Sequence, residues 1–311
     1  MSASWVAAGV RARALAHRRL GAAGARELAA APSLVRAVDL LADSPYGHDA
    51  HRGQSLAEAQ HSVAATLLWH MRVLAGWLPR GDARLLRVLA GGFEVANVDE
   101  RLRELAGGQP EPAFRLGGLS TSWPALAGAA SPEQMRTLLS RSAWGDPGSD
   151  TVEGIRLGMR LSWAERVSAS LVQARPWAVG AASLLVARRH LLDGSPVPEQ
   201  TAVLATRLVG ARWPQSRTMA EYEDSIPSDA RWSLERVAEP GDLWRAEAHW
   251  WSRVETDGFG LLRRPVGTPD PVIGAVAVLS ADAWRVRAGL EVAARGGAGS
   301  PDALEAFDAV A

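Results

Sequence analysis

The chain has no cysteine and no lysine among its 311 residues. Without a thiol there can be no disulfide, no thiol catalysis and no cysteine-ligated zinc. Without lysine a Walker A phosphate loop, a Schiff-base lysine and a Ser-x-x-Lys nucleophile are impossible. Every basic side chain other than histidine is arginine. No run of about 18 apolar residues occurs, so no membrane-spanning helix is expected. The opening Met1-Ser-Ala-Ser-Trp-Val6 lacks a basic-then-apolar secretion signal, and a cytoplasmic location is expected. Lys+Arg and Asp+Glu are both 34, which leaves no global pull toward nucleic acid or anionic lipid. The length suffices for one large domain or two modest ones with a sizeable core.

What is present is an imperfect repeat. Ala31-Pro-Ser-Leu-Val-Arg-Ala-Val-Asp-Leu-Leu-Ala-Asp-Ser-Pro-Tyr-Gly47 returns without a gap as Ala129-Ala-Ser-Pro-Glu-Gln-Met-Arg-Thr-Leu-Leu-Ser-Arg-Ser-Ala-Trp-Gly145. Ser33/Ser131, Leu40/Leu138, Leu41/Leu139, Ser44/Ser142 and Gly47/Gly145 are identical, and Tyr46 and Trp144 exchange one aromatic for another. Each copy predicts a short helix with a serine at its start, an apolar face and an aromatic-Gly exit.

Along the chain, helical spacing predicts a helix over 4–19, with Trp5, Ala8, Gly9, Ala12, Leu15 and Ala16 on a stripe small enough to admit a close neighbour. Ser55-Leu-Ala-Glu58 is a capping box opening a helix to Leu78, with Leu67, Leu68, Met71, Leu74 and Leu78 inward. Helices over 85–90 and 93–105 flank Gly91-Gly92, a pair that calls for a kink or a close helix contact. Gly107 to Gly118 is a connector. Ser131-Pro-Glu-Gln134 combines an N-cap serine, a first-turn proline and a capping glutamine. Helices follow over 150–173, 177–193, 199–211, 215–223 and 240–254, then a loop over 258–265. A helix from 272 to 294 and a last short one capped by Ser300 close the chain. No strand or hairpin signal appears, so the expected class is all-α.

The candidate sites are few. Arg11, Arg13, Arg18 and Arg19 form a basic set that reads as a partner-binding rim, a solvated face or internal salt-bridge partners. His48, Asp49 and His51 are a weak metal-ligand pattern in a loop. His61 and His70, nine apart, fall on nearly opposite faces of one helix. His190 and Asp193 read as a helix-end pair. Trp244, Trp250 and Trp251 read as core or helix-contact residues rather than a base-stacking platform. No His-Glu-x-x-His, Gly-x-Ser-x-Gly or strand-borne Gly-x-Gly-x-x-Gly occurs, so no catalytic residue, metal or cofactor is assigned.

Three stretches resemble one family. Trp5-Val-Ala-Ala-Gly-Val-Arg-Ala-Arg-Ala-Leu15 followed by the first repeat resembles the opening of the C/d-type stalk proteins of V-type ATPases. Phe93-Glu-Val-Ala-Asn97-Val-Asp-Glu-Arg-Leu-Arg103 is similar to that family's aromatic-Asp-x-x-Asn-Ile segment, and Pro271-Val-Ile-Gly-Ala-Val with Asp282-Ala-Trp-Arg-Val-Arg287 to its last motif. Trp5 replaces the usual tyrosine, Glu94 the aspartate, Asp282 the glutamate, Ala275 the final tyrosine and Arg285 the asparagine. The resemblance implies three pseudo-symmetric helical lobes, approximately 1–106, 107–197 and 198–311, forming a funnel. It implies a non-catalytic adaptor between the central-stalk subunits of a rotary ATPase and its membrane rotor ring, peripheral on the membrane and touching it only through the ring. Nucleic acid is not an expected partner. The alternative is a helical scaffold derived from that family and serving another protein assembly.

Overall fold

The computed structural model describes residues 3–79, 81–235, 237–297 and 307. The protein is all-α: every regular element among these residues is helical. In chain order the helices are α1 (Ala3–Ala16), α2 (Gly21–Ala29), α3 (Leu34–Ala42), α4 (Leu56–Trp77), α5 (Arg84–Leu89), α6 (Gly91–Leu105) and α7 (Trp123–Leu126). They continue with α8 (Pro132–Ser140), α9 (Val152–Ser170), α10 (Arg175–Ala187), α11 (Glu199–Val209), α12 (Met219–Ser225), α13 (Leu243–Leu262) and α14 (Asp270–Ala294). A π-helical turn, Arg188–Leu192, ends α10. No described helix is long and apolar enough to cross a membrane.

The chain divides into two compact units. One is Met1–Ala83 with Trp251–Ala311; the other is Arg84–Trp250. In the first unit α14 is the central element, packed by α1, α2, α3 and α4. Its first half is apolar on every side, and Val272 to Leu279 are all buried. A stretch enclosed all round has no polar stripe to show, which is why this part of the sequence shows no helical face of its own. The small stripe of α1, Ala8, Gly9, Ala12 and Ala16, is buried as expected, and Trp5 at its head is half-buried with its indole N–H on Asp82. In the second unit α9 is central, packed by α5, α6, α10 and α11. Its core joins Val95, Val98, Leu102, Met135, Leu139, Trp144, Ile155 and Met159.

Several boundaries differ from the expectation. α1 stops at Ala16, so Arg18 and Arg19 lie on the turn that follows rather than in the helix. The chain turns there because the amides of Leu20 and Gly21 are taken by a buried carboxylate, described below. α2 covers a glycine- and alanine-rich stretch that carries no helix signal, so the sequence does not anticipate it. The predicted loop over 258–265 is helical as far as Leu262. A Cβ on Gly258 would lie 3.1 Å from the Gly274 carbonyl oxygen, and one on Gly274 would lie 2.6 Å from that of Gly258. Gly258, read as the start of a loop, is there for close packing of α13 on α14. The same reason holds for Gly91 and Gly92, where an added Cβ would meet the Trp163 ring at 2.7 and 2.8 Å. The helix capped by Ser300 falls outside the described residues, apart from Phe307, which is helical and buried.

Candidate functional site

The repeat found in the sequence is built twice by the same hydrogen bonds. In α3 the Ser33 side chain accepts from the Arg36 amide; in α8 the Ser131 side chain accepts from Gln134. At the helix exits the Ser44 hydroxyl donates to the Leu41 carbonyl and accepts from the Tyr46 amide, while Ser142 does the same with Leu139 and Trp144. These bonds hold the aromatic side chain in one direction, into the core of its unit. Tyr46 is 5% exposed and Trp144 3%.

Each aromatic ends on a buried carboxylate. Trp144 Nε1 donates to Glu94 Oε1 at 2.6 Å, and Glu94 also accepts from the amides of Thr121 and Ser122 and from the Ser120 hydroxyl. The Tyr46 hydroxyl donates to Asp282 Oδ2 at 2.8 Å, and Asp282 also accepts from the amides of Leu20 and Gly21. Both carboxylates have no exposed surface. A charge withdrawn from water this way is tolerable only because fixed donors replace its hydration. Burial and the Asp282 charge raise the Tyr46 pKa well above its ordinary 10.0, so the phenol stays a donor. In both units a carboxylate on a long helix (α6, α14) therefore gathers an aromatic from the repeat and two consecutive backbone amides. The residue one turn on is also committed, but differently. Asn97 exchanges two hydrogen bonds with the backbone of Phe114, whereas Arg285 makes a bidentate pair with Glu255.

A shorter helix in the second unit shares two of these bonds. The Thr218 side chain caps α12 by accepting from Glu221, and the Ser225 hydroxyl donates to the Tyr222 carbonyl. The run from cap to serine, 33–44 and 131–142 in the two full copies, is 218–225 here, about one helical turn less. Tyr222, fully buried, stands three residues before that serine, where Leu41 and Leu139 stand, and the place of Tyr46 and Trp144 is held by Pro227; the Tyr222 hydroxyl donates to the Ser183 carbonyl on α10.

The helix after each full copy fills the space beside the aromatic, and here the two units part. Counting from the caps Ser55 and Thr151, Leu67 of α4 matches Trp163 of α9, and His70 matches Arg166. Counting from the carboxylates, Leu279 matches Gly91. In the second unit Trp163 lies on Gly91 and Gly92 and donates to the Val88 carbonyl; the Arg166 guanidinium lies 4.8 Å from the Trp144 ring centroid. In the first unit the smaller Leu67 and His70 leave a pocket open on one side. Arg18, Arg19, Pro45, Tyr46, Thr66, Leu67, His70 and Leu279 line it, and it has room for about one water molecule. His70 is 6% exposed, and its Nδ1 is buried without a hydrogen-bond partner, as is Arg11 Nε. Burial, then the charges of Arg18, His48 and Arg11, push the His70 pKa down from 6.5 to about 4, with Asp49 opposing.

The four arginines singled out in the sequence do different things. Arg13 is a latch within its unit: its guanidinium donates to the Leu262 and Arg264 carbonyls. Arg19 donates to the Ala16 carbonyl and lies over the Phe259 ring. Arg18 is exposed at the pocket, and Arg11 is half-buried within electrostatic reach of His70. The structure thus brings Arg18 and Arg19 together with a histidine that no local sequence signal sets beside them. No spacing in the sequence gives this, because Arg18 and Arg19 reach His70 only through the packing of α1 on α4. Of the remaining candidates, His48 Nδ1 bonds Asp49, and no group of three metal-ligating side chains occurs among the described residues. His190 Nε2 meets the Ser216 carbonyl rather than Asp193. Trp250 donates to the Trp177 carbonyl and Trp251 stacks on Trp284, both helix contacts, whereas Trp244 is exposed beneath Arg245. No protein-family model matches the chain, and no curated protein matches it.

Proposed function

We propose that the chain is a divergent relative of the C/d-type stalk proteins of V-type ATPases and acts as a non-catalytic adaptor. In this reading it couples the central stalk of a rotary ATPase to the membrane rotor ring. One observation carries the reading. Glu94 and Asp282, the residues that stand at the acidic positions of the family's middle segment and last motif, are the buried centres of two matching hydrogen-bond modules. A motif resemblance that falls by chance on surface positions would not select the two carboxylates around which the repeats are built. In this reading a third, degraded repeat completes a three-lobed funnel over about 1–106, 107–197 and 198–311. An assembly of helical repeats buries one face of each repeat against a neighbour and leaves a concave surface for a partner, which suits a socket for a stalk. The membrane is reached only through the ring.

The test is gentle affinity purification of the tagged chain from its native host, with the co-purifying proteins identified by mass. Stalk and ring components in stoichiometric amounts are the expected result. A rotary ATPase that purifies intact without this chain, while the tagged chain brings down a different assembly, would overturn the proposal and select the scaffold alternative.

A further inference from the structure

We propose that His48 is a phosphorylation site, its Nε2 taking a phosphoryl group from a donor of the phosphoramidate class, in which phosphorus is bound to nitrogen. The ring is held on two sides. Its Nδ1 lies 2.8 Å from Asp49 Oδ2. A carboxylate only accepts, so Nδ1 carries the proton and the lone pair of the neutral ring stands on Nε2. One face of the ring is stacked on Trp69 of α4, with centroids 4.4 Å apart and planes at 30°. The same Asp49 oxygen accepts from the Thr66 hydroxyl at 2.9 Å, which fixes the carboxylate in turn. With one face and one edge taken, the 44% of the side chain that is exposed is the other face and the edge bearing Nε2. That nitrogen has no hydrogen-bond partner among the described residues. An oriented ring with a free lone pair and a carboxylate behind it is the arrangement that makes histidine a nucleophile.

The other unit shows that the fold does not ask for this arrangement. Counting from Gly47 and Gly145, His48 and Asp49 match Asp146 and Pro147. Counting from the caps Ser55 and Thr151, Thr66 and Trp69 match Ser162 and Glu165. There the Ser162 hydroxyl donates to the Trp144 carbonyl, Asp146 pairs with Arg136 and Glu165 with Arg207. The matching loop is built without an imidazole, an indole under it or a carboxylate behind it. His51, three residues on and also exposed, gives a contrast within one loop: its backbone amide donates to Gln54, and among the described residues no carboxylate meets its ring.

In the transfer the Nε2 lone pair attacks phosphorus, and the Nε2–P bond forms as the donor's P–N bond breaks. The electron pair of the broken bond leaves on the donor nitrogen, which, already protonated, departs as a neutral amine. The ring keeps its Nδ1 proton and becomes an imidazolium; nothing is oxidised or reduced. Asp49 and the face of Trp69 both favour that cation, so the groups that orient the ring also stabilise the state it enters. Exchange of one phosphorus–nitrogen bond for another is close to thermoneutral and asks for no further group. The donor is an anion. Arg18, exposed, and Arg11 act electrostatically on His70 as His48 does, so guanidinium charge shares the neighbourhood the donor enters.

The experiment treats the full chain with potassium phosphoramidate at pH 8, quenches at intervals and locates the phosphoryl group by mass spectrometry and phosphorus NMR. We expect His48 to react about fivefold or more faster than His51 in the same molecules, as the Nε2 isomer from the earliest times. The ratio should fall to about 1 in urea, and Asp49→Asn, if folded by circular dichroism, should lower it about threefold or more. Diethyl pyrocarbonate, which is uncharged, provides the acyl comparison. Arg18→Gln should slow phosphorylation of His48 about twofold or more and leave its acylation unchanged. Equal rates at His48 and His51, an Nδ1 product, or a ratio that survives urea would overturn the site. A His48 that outpaces His51 toward diethyl pyrocarbonate but not toward phosphoramidate would overturn the phosphoryl assignment.

Discussion

The two units solve one packing problem with different side chains. Each has a serine-capped short helix that delivers an aromatic to a buried carboxylate, and each follows it with a long helix laid alongside. In the second unit the aromatic is tryptophan, the carboxylate has the longer side chain, and Trp163 and Arg166 close the space. In the first the aromatic is tyrosine, the carboxylate is aspartate, and Leu67 with His70 leaves a cationic pocket. The shared hydrogen bonds define what the fold requires. The difference beside them marks the place where the fold leaves freedom, and a site is most easily built there.

That comparison can be tested in order of expected effect. Glu94→Ala would strand four donors, among them two backbone amides that cannot turn to water. A loss of roughly 4 kcal/mol or more in urea unfolding is expected. Hydrogen exchange should show the loss confined to the amides of the second unit, and Asp282→Ala should do the converse for residues 20–47. Equal deprotection of both units by either change would break the picture of two self-contained modules.

Trp163→Leu, which installs the residue of the other unit, should cost about 3 kcal/mol by denaturant titration, because the cavity and the lost bond to Val88 are both uncompensated. Leu67→Ala, at a position already half-buried, should cost about 2 kcal/mol or less by the same measurement. A reversal of that order would mean that the two helices are not packed in matching registers.

His70 provides a pH test. Its folded-state pKa of about 4 lies below the ordinary 6.5, so the unfolded chain takes up the proton first. The stability it contributes is complete above pH 6.5 and is lost as pH falls toward 4. Between about pH 7 and 5 the wild-type chain should lose about 2 kcal/mol more than His70→Gln in paired denaturation curves. Parallel curves would show that the ring is not held neutral. The smallest contrast is between arginines: Arg166→Gln should cost about 1 kcal/mol through its contact with Trp144, whereas Arg18→Gln, exposed, should stay within about 0.5 kcal/mol.

Much of this was legible in the sequence, for a local reason. Serine caps, the capping box at Ser55 and Glu58, and helical spacing all act within a few residues, and the structure repeats them nearly as read. The failures are also physical. Gly258 breaks no helix because its missing side chain is used by a partner helix further along the chain. α1 ends before Arg18 because two amides are claimed by Asp282, a residue from the other end of the sequence. The basic set splits because Arg13 finds carbonyls near residue 262 while Arg18 and Arg19 do not.

By itself, the sequence determined that this protein is all-α, where most of its helices start and that one motif occurs twice, since propensity, capping and periodicity are short-range. Only the tertiary structure decided which carboxylate meets which aromatic, that Glu94 and Asp282 hold equivalent posts, and that His70 faces Arg18. Those pairings join residues up to hundreds of positions apart, and only the packing of complete helices brings such side chains within bonding distance.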